Sequence, residues 1–163
     1  MFDKYLTIFE SVVGLDQRII NVGHTPSKYH DTFAYVVKEH DCCNQPRQYI
    51  FDMLGESSFR SVAVDSLGKT YCVGYVSSNT SSTGYDALII VLDKEFNLVD
   101  EKRFSSGVFS YFDTIIITND DDVICSGYSG SGSIDTYVEI TVIFDNNLNL
   151  RSKGRRLINQ SEN

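Results

Sequence analysis

The sequence predicts an all-β chain of three four-stranded antiparallel repeats, each about 50 residues long, and two observations carry that prediction. The first is an internal repeat. SVAVDSLGKTYCVGY (Ser61 to Tyr75) and TIIITNDDDVICSGY (Thr114 to Tyr128) are the best-matched pair, and SVVGLDQRIINVGH (Ser11 to His24) is a fainter first copy. All three close on a glycine after a short apolar run, and Gly23, Gly74 and Gly127 stand at intervals of 51 and 53 residues. A period of that length marks a supersecondary unit that cannot bury its apolar face alone and must stack on its neighbours. The second observation lies inside the repeats, where short β-branched runs are separated by Asp, Gly and Asn turn formers.

The elements follow in order along the second copy. Phe59 to Val64 alternates and is rich in valine, Asp65-Ser66-Leu67-Gly68-Lys69 supplies a turn, and Thr70 to Tyr75 returns as a strand, which together read as a hairpin. A polar stretch, Ser77 to Gly84, precedes the apolar run Ala87 to Leu92, too short and too β-branched for a helix. Asp93-Lys94-Glu95 then turns the chain into Phe96 to Phe104. The third copy repeats the plan with Phe112 to Thr118, Val123 to Tyr128, Thr136 to Phe144 and Leu148 to Leu157, and its Asp145-x-x-Leu148-Asn149-Leu150 matches Asp93-x-x-Phe96-Asn97-Leu98. The first copy keeps Phe9 to Val13, Arg18 to Gly23 and Thr32 to Val37, but places KEHDCCNQPR, with Pro46, before Gln48 to Phe51. An irregular outer hairpin is expected there.

The bulk numbers bound the rest. At 163 residues, 42% of them hydrophobic, one domain spanning 1–163 can bury roughly 70% of its unfolded surface. The formal net charge of −8 repels a phosphate backbone and argues against nucleic acid as a partner. Arg151, Lys153, Arg155 and Arg156 stand together without an acid and read as a solvated outer strand. The N-terminal stretch has acids at Asp3 and Glu10 and no long apolar run, so neither a secretory signal nor a membrane span is expected, and synthesis is placed in the cytoplasm. Without a secretory signal the glycosylation patterns at Asn79 and Asn159 are taken as chance. Cys72 and Cys125 share a repeat position and read as buried, inert thiols. Cys42 and Cys43 are adjacent, beside His40, a spacing that does not chelate zinc as Cys-x-x-Cys does.

Ser61, Val62, Asp65, Gly68, Gly74, Tyr75, Asp86, Ala87, Asp93 and Asn97 of the second copy resemble the blade repeats of β-propeller proteins found in bacterial surface proteins and phage particles. The resemblance covers about residues 5 to 158 and implies propeller-like blades at approximately 5–55, 56–107 and 108–158. Closed propellers generally need about four to eight blades around the channel, so three blades imply either two chains completing a six-bladed ring or an open fan capped by partners. An open fan exposes apolar faces and strand edges, which makes an oligomer or a subunit of a larger protein assembly the expectation. The competing fold is a β-trefoil, which also has three four-stranded repeats; its Gln-x-Trp signature is absent and the chain has no Trp.

Function is expected from surfaces, because no motif joins a Ser, Cys or acid to His24, His30 or His40, and no catalytic residue, cofactor or metal is assigned. His24 aligns with Tyr75 and Tyr128 and reads as structural. Asp31, Asp86 and Asp135 recur before the third strand and read as caps for loop amides. Asp120-Asp121-Asp122 lacks the glycine and distal glutamate of a calcium loop and reads as a solvated turn. Up-and-down topology brings the connections at 25–30, 52–58, 76–85, 105–111 and 129–134 to one end, with a Tyr, Ser, Gly and Asn composition suited to adaptable recognition. The binding anchors expected there are Tyr29, Tyr85, Phe109 and Tyr111, with Tyr75 and Tyr128 as repeated pocket aromatics. Two functions follow. One is a non-enzymatic structural module that oligomerises or docks on a larger particle, for which the resemblance implies a phage virion component such as a decoration or tail or fibre accessory protein. The other is a carbohydrate-binding, lectin-like propeller with a glycan as its partner.

Overall fold

A computed structural model of the protein describes residues 7–26, 32–39, 46–51, 55–78, 84–131 and 137–157. All its regular structure is strand: β1 (Thr7–Val13), β2 (Ile19–Pro26), β3 (Thr32–Lys38), β4 (Arg47–Phe51), β5 (Ser57–Val64), β6 (Thr70–Ser77), β7 (Tyr85–Leu92), β8 (Leu98–Phe104), β9 (Phe109–Ile117), β10 (Val123–Gly130), β11 (Val138–Phe144) and β12 (Leu150–Leu157). Each run of four consecutive strands pairs antiparallel with its chain neighbours, so the protein consists of three meanders. The first forms a four-stranded sheet alone, and the second and third join into an eight-stranded sheet through one parallel pair, Tyr85 with Phe109. Neither sheet closes on itself. No helix among the described residues is long and apolar enough to cross a membrane.

Five of the hairpins use one turn. In Gly14–Arg18, Asp65–Lys69, Asp93–Asn97, Thr118–Asp122 and Asp145–Asn149 the first residue's amide donates to the fifth residue's carbonyl, and the fourth residue's amide donates to the first residue's carbonyl. The fourth residue, Gln17, Gly68, Phe96, Asp121 or Leu148, takes a positive φ of 56° to 83°, the left-handed step of a three-residue hairpin loop. At Asp93 and Asp145 the side chain enforces it: one carboxylate oxygen accepts the amides two and four residues on, and the other accepts the Asn97 or Asn149 side-chain amide. Phe96 and Leu148, expected to open strands, are therefore turn residues, and their buried side chains anchor the turns in the core. The left-handed cost of a bulky residue is offset by that burial.

Gly23, Gly74 and Gly127 are fixed by contact with the strand before them. A Cβ at these positions would lie 1.7 Å from the Thr7 carbonyl oxygen, 1.9 Å from that of Ser58 and 2.0 Å from that of Tyr111. Opposite each glycine the register of β1, β5 or β9 slips by one residue, so Phe9, Arg60 and Asp113 are the extra residues of three equivalent bulges. One amide beyond each bulge in β5 and β9 is satisfied by the previous meander: Glu10 accepts from the Val62 amide at 2.9 Å and Ser61 from the Ile115 amide at 3.1 Å.

The meanders pack face to face in chain order, and the second is buried on both sides. Cys72, Val76, Leu88, Ile90 and Leu92 meet Ile20, Val22, Ala34, Val36 and Phe51 of the first. Tyr71, Val73, Ile89 and Val91 meet Phe112, Cys125, Ile140, Val142 and Phe144 of the third. The Tyr71 hydroxyl crosses between units, 3.2 Å from Asp65 and 3.3 Å from the Asn146 carbonyl. Cys72 and Cys125 are buried, and burial pushes both thiols far above the usual range.

Two expectations are corrected or displaced. Asp86, expected to cap amides of the loop before it, lies buried within β7, paired opposite Val76, and its Oδ1 has no hydrogen-bond partner among the described residues. Tyr29, His30, Asp31, His40, Cys42, Cys43, Asn79, Asp135 and Asn159 lie outside the described residues. The basic strand β12 is exposed, with Arg151 paired to Asp122 at 3.1 Å and the Lys153 ammonium 4.4 Å from the Phe104 ring centre.

The glycine contacts predict that Gly74→Ala costs about 3 kcal/mol or more in urea unfolding, since the obstacle is backbone and cannot rotate away. Gly154→Ala, whose Cβ would meet nothing closer than 4.0 Å, is the control and changes stability by less than about 0.5 kcal/mol. Hydrogen bonds from Asn97 and Asn149 hold Asp93 and Asp145 below their ordinary pKa. Their stabilisation is therefore present above the unfolded carboxylate value and lost as pH falls through the lowered one. The doubly substituted Asp93→Asn, Asp145→Asn protein is expected to show a smaller drop in urea midpoint between about pH 6 and pH 2.5 than the natural chain.

Candidate functional site

A bulge turns its extra residue out of the ladder and re-aims it, and the three equivalent bulges carry three different chemistries. Phe9, Arg60 and Asp113 each stand fourteen residues before the close-contact glycine of their repeat. The Arg60 guanidinium lies 4.3 Å from the centre of the Phe9 ring and 5.6 Å from that of Tyr75. Its Nε is buried with no acceptor among the described residues. Asp113 is half-buried, and burial raises its carboxyl pKa while the Arg60 charge opposes that rise. His24 packs edge-on to Phe9 with ring centres 5.3 Å apart and shares a hydrogen bond with Ser58, Nδ1 to Oγ 3.3 Å. Burial first, and Arg60 second, push its pKa below the usual value, while Glu56 acts in the opposite direction.

A line of aromatic rings continues from this cluster. Tyr75 meets Tyr85 edge-on at 4.9 Å, and Tyr85 meets Phe109 at 5.8 Å. The Tyr85 hydroxyl donates to Glu56 at 2.5 Å, and that bond, with burial, pushes its pKa up to about 12. Tyr111 and Tyr128 form a second pair, 5.7 Å apart. These rings sit where the connections converge. Glu56 and Ser77 exchange backbone and side-chain hydrogen bonds, the Tyr85 amide donates to the Val108 carbonyl, and Gly107 lies against Gly130. Of the sequence-designated anchors, the fold thus joins Tyr75, Tyr85 and Phe109 in one line and Tyr111 with Tyr128 in another. Tyr29 falls outside the described residues.

Arg60, Phe9, Asp113 and Glu56 were not singled out from sequence, and His24 was read as structural only. The available signal was positional: the bulge residues align across the repeats but share no chemistry, so a search for repeated residue types passes over them. The opposite end holds a cavity of about 340 Å³ among the turns, lined by Arg18, Lys38, Arg47 and Lys94 with Asp16 and Glu95. There the buried Lys38 pairs with Asp16 at 2.6 Å. No group of three metal-ligating side chains occurs among the described residues.

No protein-family model matches the chain, and no curated protein is similar to it.

The cluster geometry predicts the titration of His24. Its ring protons are expected to titrate below the ordinary histidine value in NMR spectra and to move back towards it in Arg60→Gln, which removes the opposing charge. A His24 titration unchanged by that substitution would place the guanidinium elsewhere.

Proposed function

We propose that the protein is a non-enzymatic interaction module whose three meanders are propeller-like blades of a ring completed by a second copy of the chain. One observation carries this reading: the hydrogen bond and the apolar face that join one meander to the next are both repeated, and both are left open at the third. Glu10 and Ser61 occupy equivalent positions and reach the next meander's amides; the equivalent third residue, Thr114, is exposed. Ile116, Ile124 and Ile143 form a cross-strand row equivalent to Ala63, Tyr71 and Val91, which the third meander covers. Ile116 is 54% exposed, and at the other end of the stack Ile8, Val13 and Ile19 are exposed as well. Apolar positions at both ends of a repeat stack suit head-to-tail association, and two copies give six blades, within the range of about four to eight that closes. In that contact Thr114 meets the amide of Ser11 in the second copy. The open sheets favour blades over a β-trefoil, which is built around a closed barrel. The likeness to blade repeats of phage particle proteins suggests a virion setting, as a decoration or tail or fibre accessory protein.

A carbohydrate-binding reading is favoured by one further observation, the aromatic surface that runs through Tyr75, Tyr85 and Phe109. Repeated tyrosines offer flat faces and hydroxyls at low entropic cost. Glycan-array binding that disappears in Tyr75→Ala and Tyr128→Ala would support it.

Mass measurement of the native protein tests the assembly. The expected result is a species of twice the 18.4 kDa chain mass, reduced to the single chain by Ile124→Lys in the middle of the open row. A stable single chain at micromolar concentration overturns the proposal.

A further inference from the structure

Among the described residues three side chains hold a buried polar atom without a partner, Arg60, Asp86 and Asp122, and Arg60 is the cation among them. It makes no hydrogen bond or ion pair among the described residues, although acids stand near it. Glu56 is engaged by the Tyr85 hydroxyl, and Asp113 acts on the guanidinium only beyond ion-pair distance. A guanidinium fork matches a carboxylate through two parallel hydrogen bonds, and a buried charged donor without an acceptor calls for a missing partner. The guanidinium itself is held over the Phe9 ring and beside Tyr75, so the fork is pre-oriented, and Phe9 is itself 39% exposed.

We propose that Arg60 anchors a binding site for a small ring-bearing monocarboxylate, whose carboxylate pairs with the guanidinium while its ring lies against the Phe9 and Tyr75 aromatic surface. A monoanion suits the site better than phosphate: there is one cation, and Asp113 repels a second negative charge. The same chemistry is offered by an acidic sugar and by an aromatic acid. This site goes beyond the assembly proposed above and does not depend on it, because Phe9, Arg60 and Tyr75 belong to one chain.

The test follows the Arg60 Nε–H resonance of the full chain by NMR while glucuronate, benzoate, glucose, acetate and inorganic phosphate are added separately. Glucuronate, benzoate or both are expected to shift it, marking an acidic-sugar or an aromatic-acid site respectively. Acetate should bind at least about tenfold more weakly for want of a ring, and glucose should leave the resonance unmoved. Arg60→Met, which keeps the apolar stem, and Arg60→Lys, which keeps the charge without the fork, should each weaken binding about tenfold or more. The proposal is overturned if neither ring carboxylate moves the resonance at concentrations on the order of tens of millimolar, if glucose binds as well as glucuronate, or if phosphate binds more tightly than both. The readout on Arg60 itself needs no variant to fold, and the mass of the assembly reports separately on the ring.

Discussion

Three backbone contacts organise the molecule. Where Gly23, Gly74 and Gly127 cross β1, β5 and β9, a carbonyl oxygen occupies the space of a side chain. Strands that approach so closely cannot keep an ordinary ladder, and each relieves the contact by an extra residue opposite the glycine. The consequences run outward from there. The slip in register sets which residues of the first strand face the preceding meander. It also leaves an amide just beyond the bulge that β5 and β9 satisfy with Glu10 and Ser61 of the unit before, so the distortion within a unit becomes a joint between units.

That joint explains the polarity of the stack. Each meander presents chemically different faces to its predecessor and its successor, and only the second has both covered. The remaining edges are managed by charge. Strand β12 carries Arg151, Lys153, Arg155 and Arg156 along an exposed margin, a composition that discourages strand-to-strand addition. Its cations are not idle, since Arg151 meets Asp122 and the Arg155 guanidinium bonds the Ser106 hydroxyl. That margin is charged, while the row of Ile116, Ile124 and Ile143 in the same meander is apolar.

Strand content and turn positions were legible in the sequence because they rest on local rules: Asp and Gly formers at fixed offsets and alternating valine-rich runs. The matching of Asp93 through Leu98 with Asp145 through Leu150 was visible for the same reason, and the hydrogen bonding of the two turns is the same. Phe96 and Leu148 were misplaced because apolar residues are expected in strands, whereas here core burial holds them in a left-handed turn. Within the candidate site, the tyrosines stood out by type. Arg60 did not, since its significance depends on a register slip set by contact across strands, and on Phe9, 51 residues earlier, which only the folded chain brings beneath it.

The bulge positions have one more property. A residue within a ladder must match a neighbour across the strand, so altering it disturbs pairing, packing and register together. A bulged residue has no such counterpart, and at this place the three units already hold a phenyl ring, a guanidinium and a carboxyl without departing from a common backbone plan. The glycine crossing thus separates two kinds of inheritance. The scaffold is copied from unit to unit under tight steric control, while one outward socket in each copy is free to diverge, and new recognition chemistry can be tried there at little expense to folding.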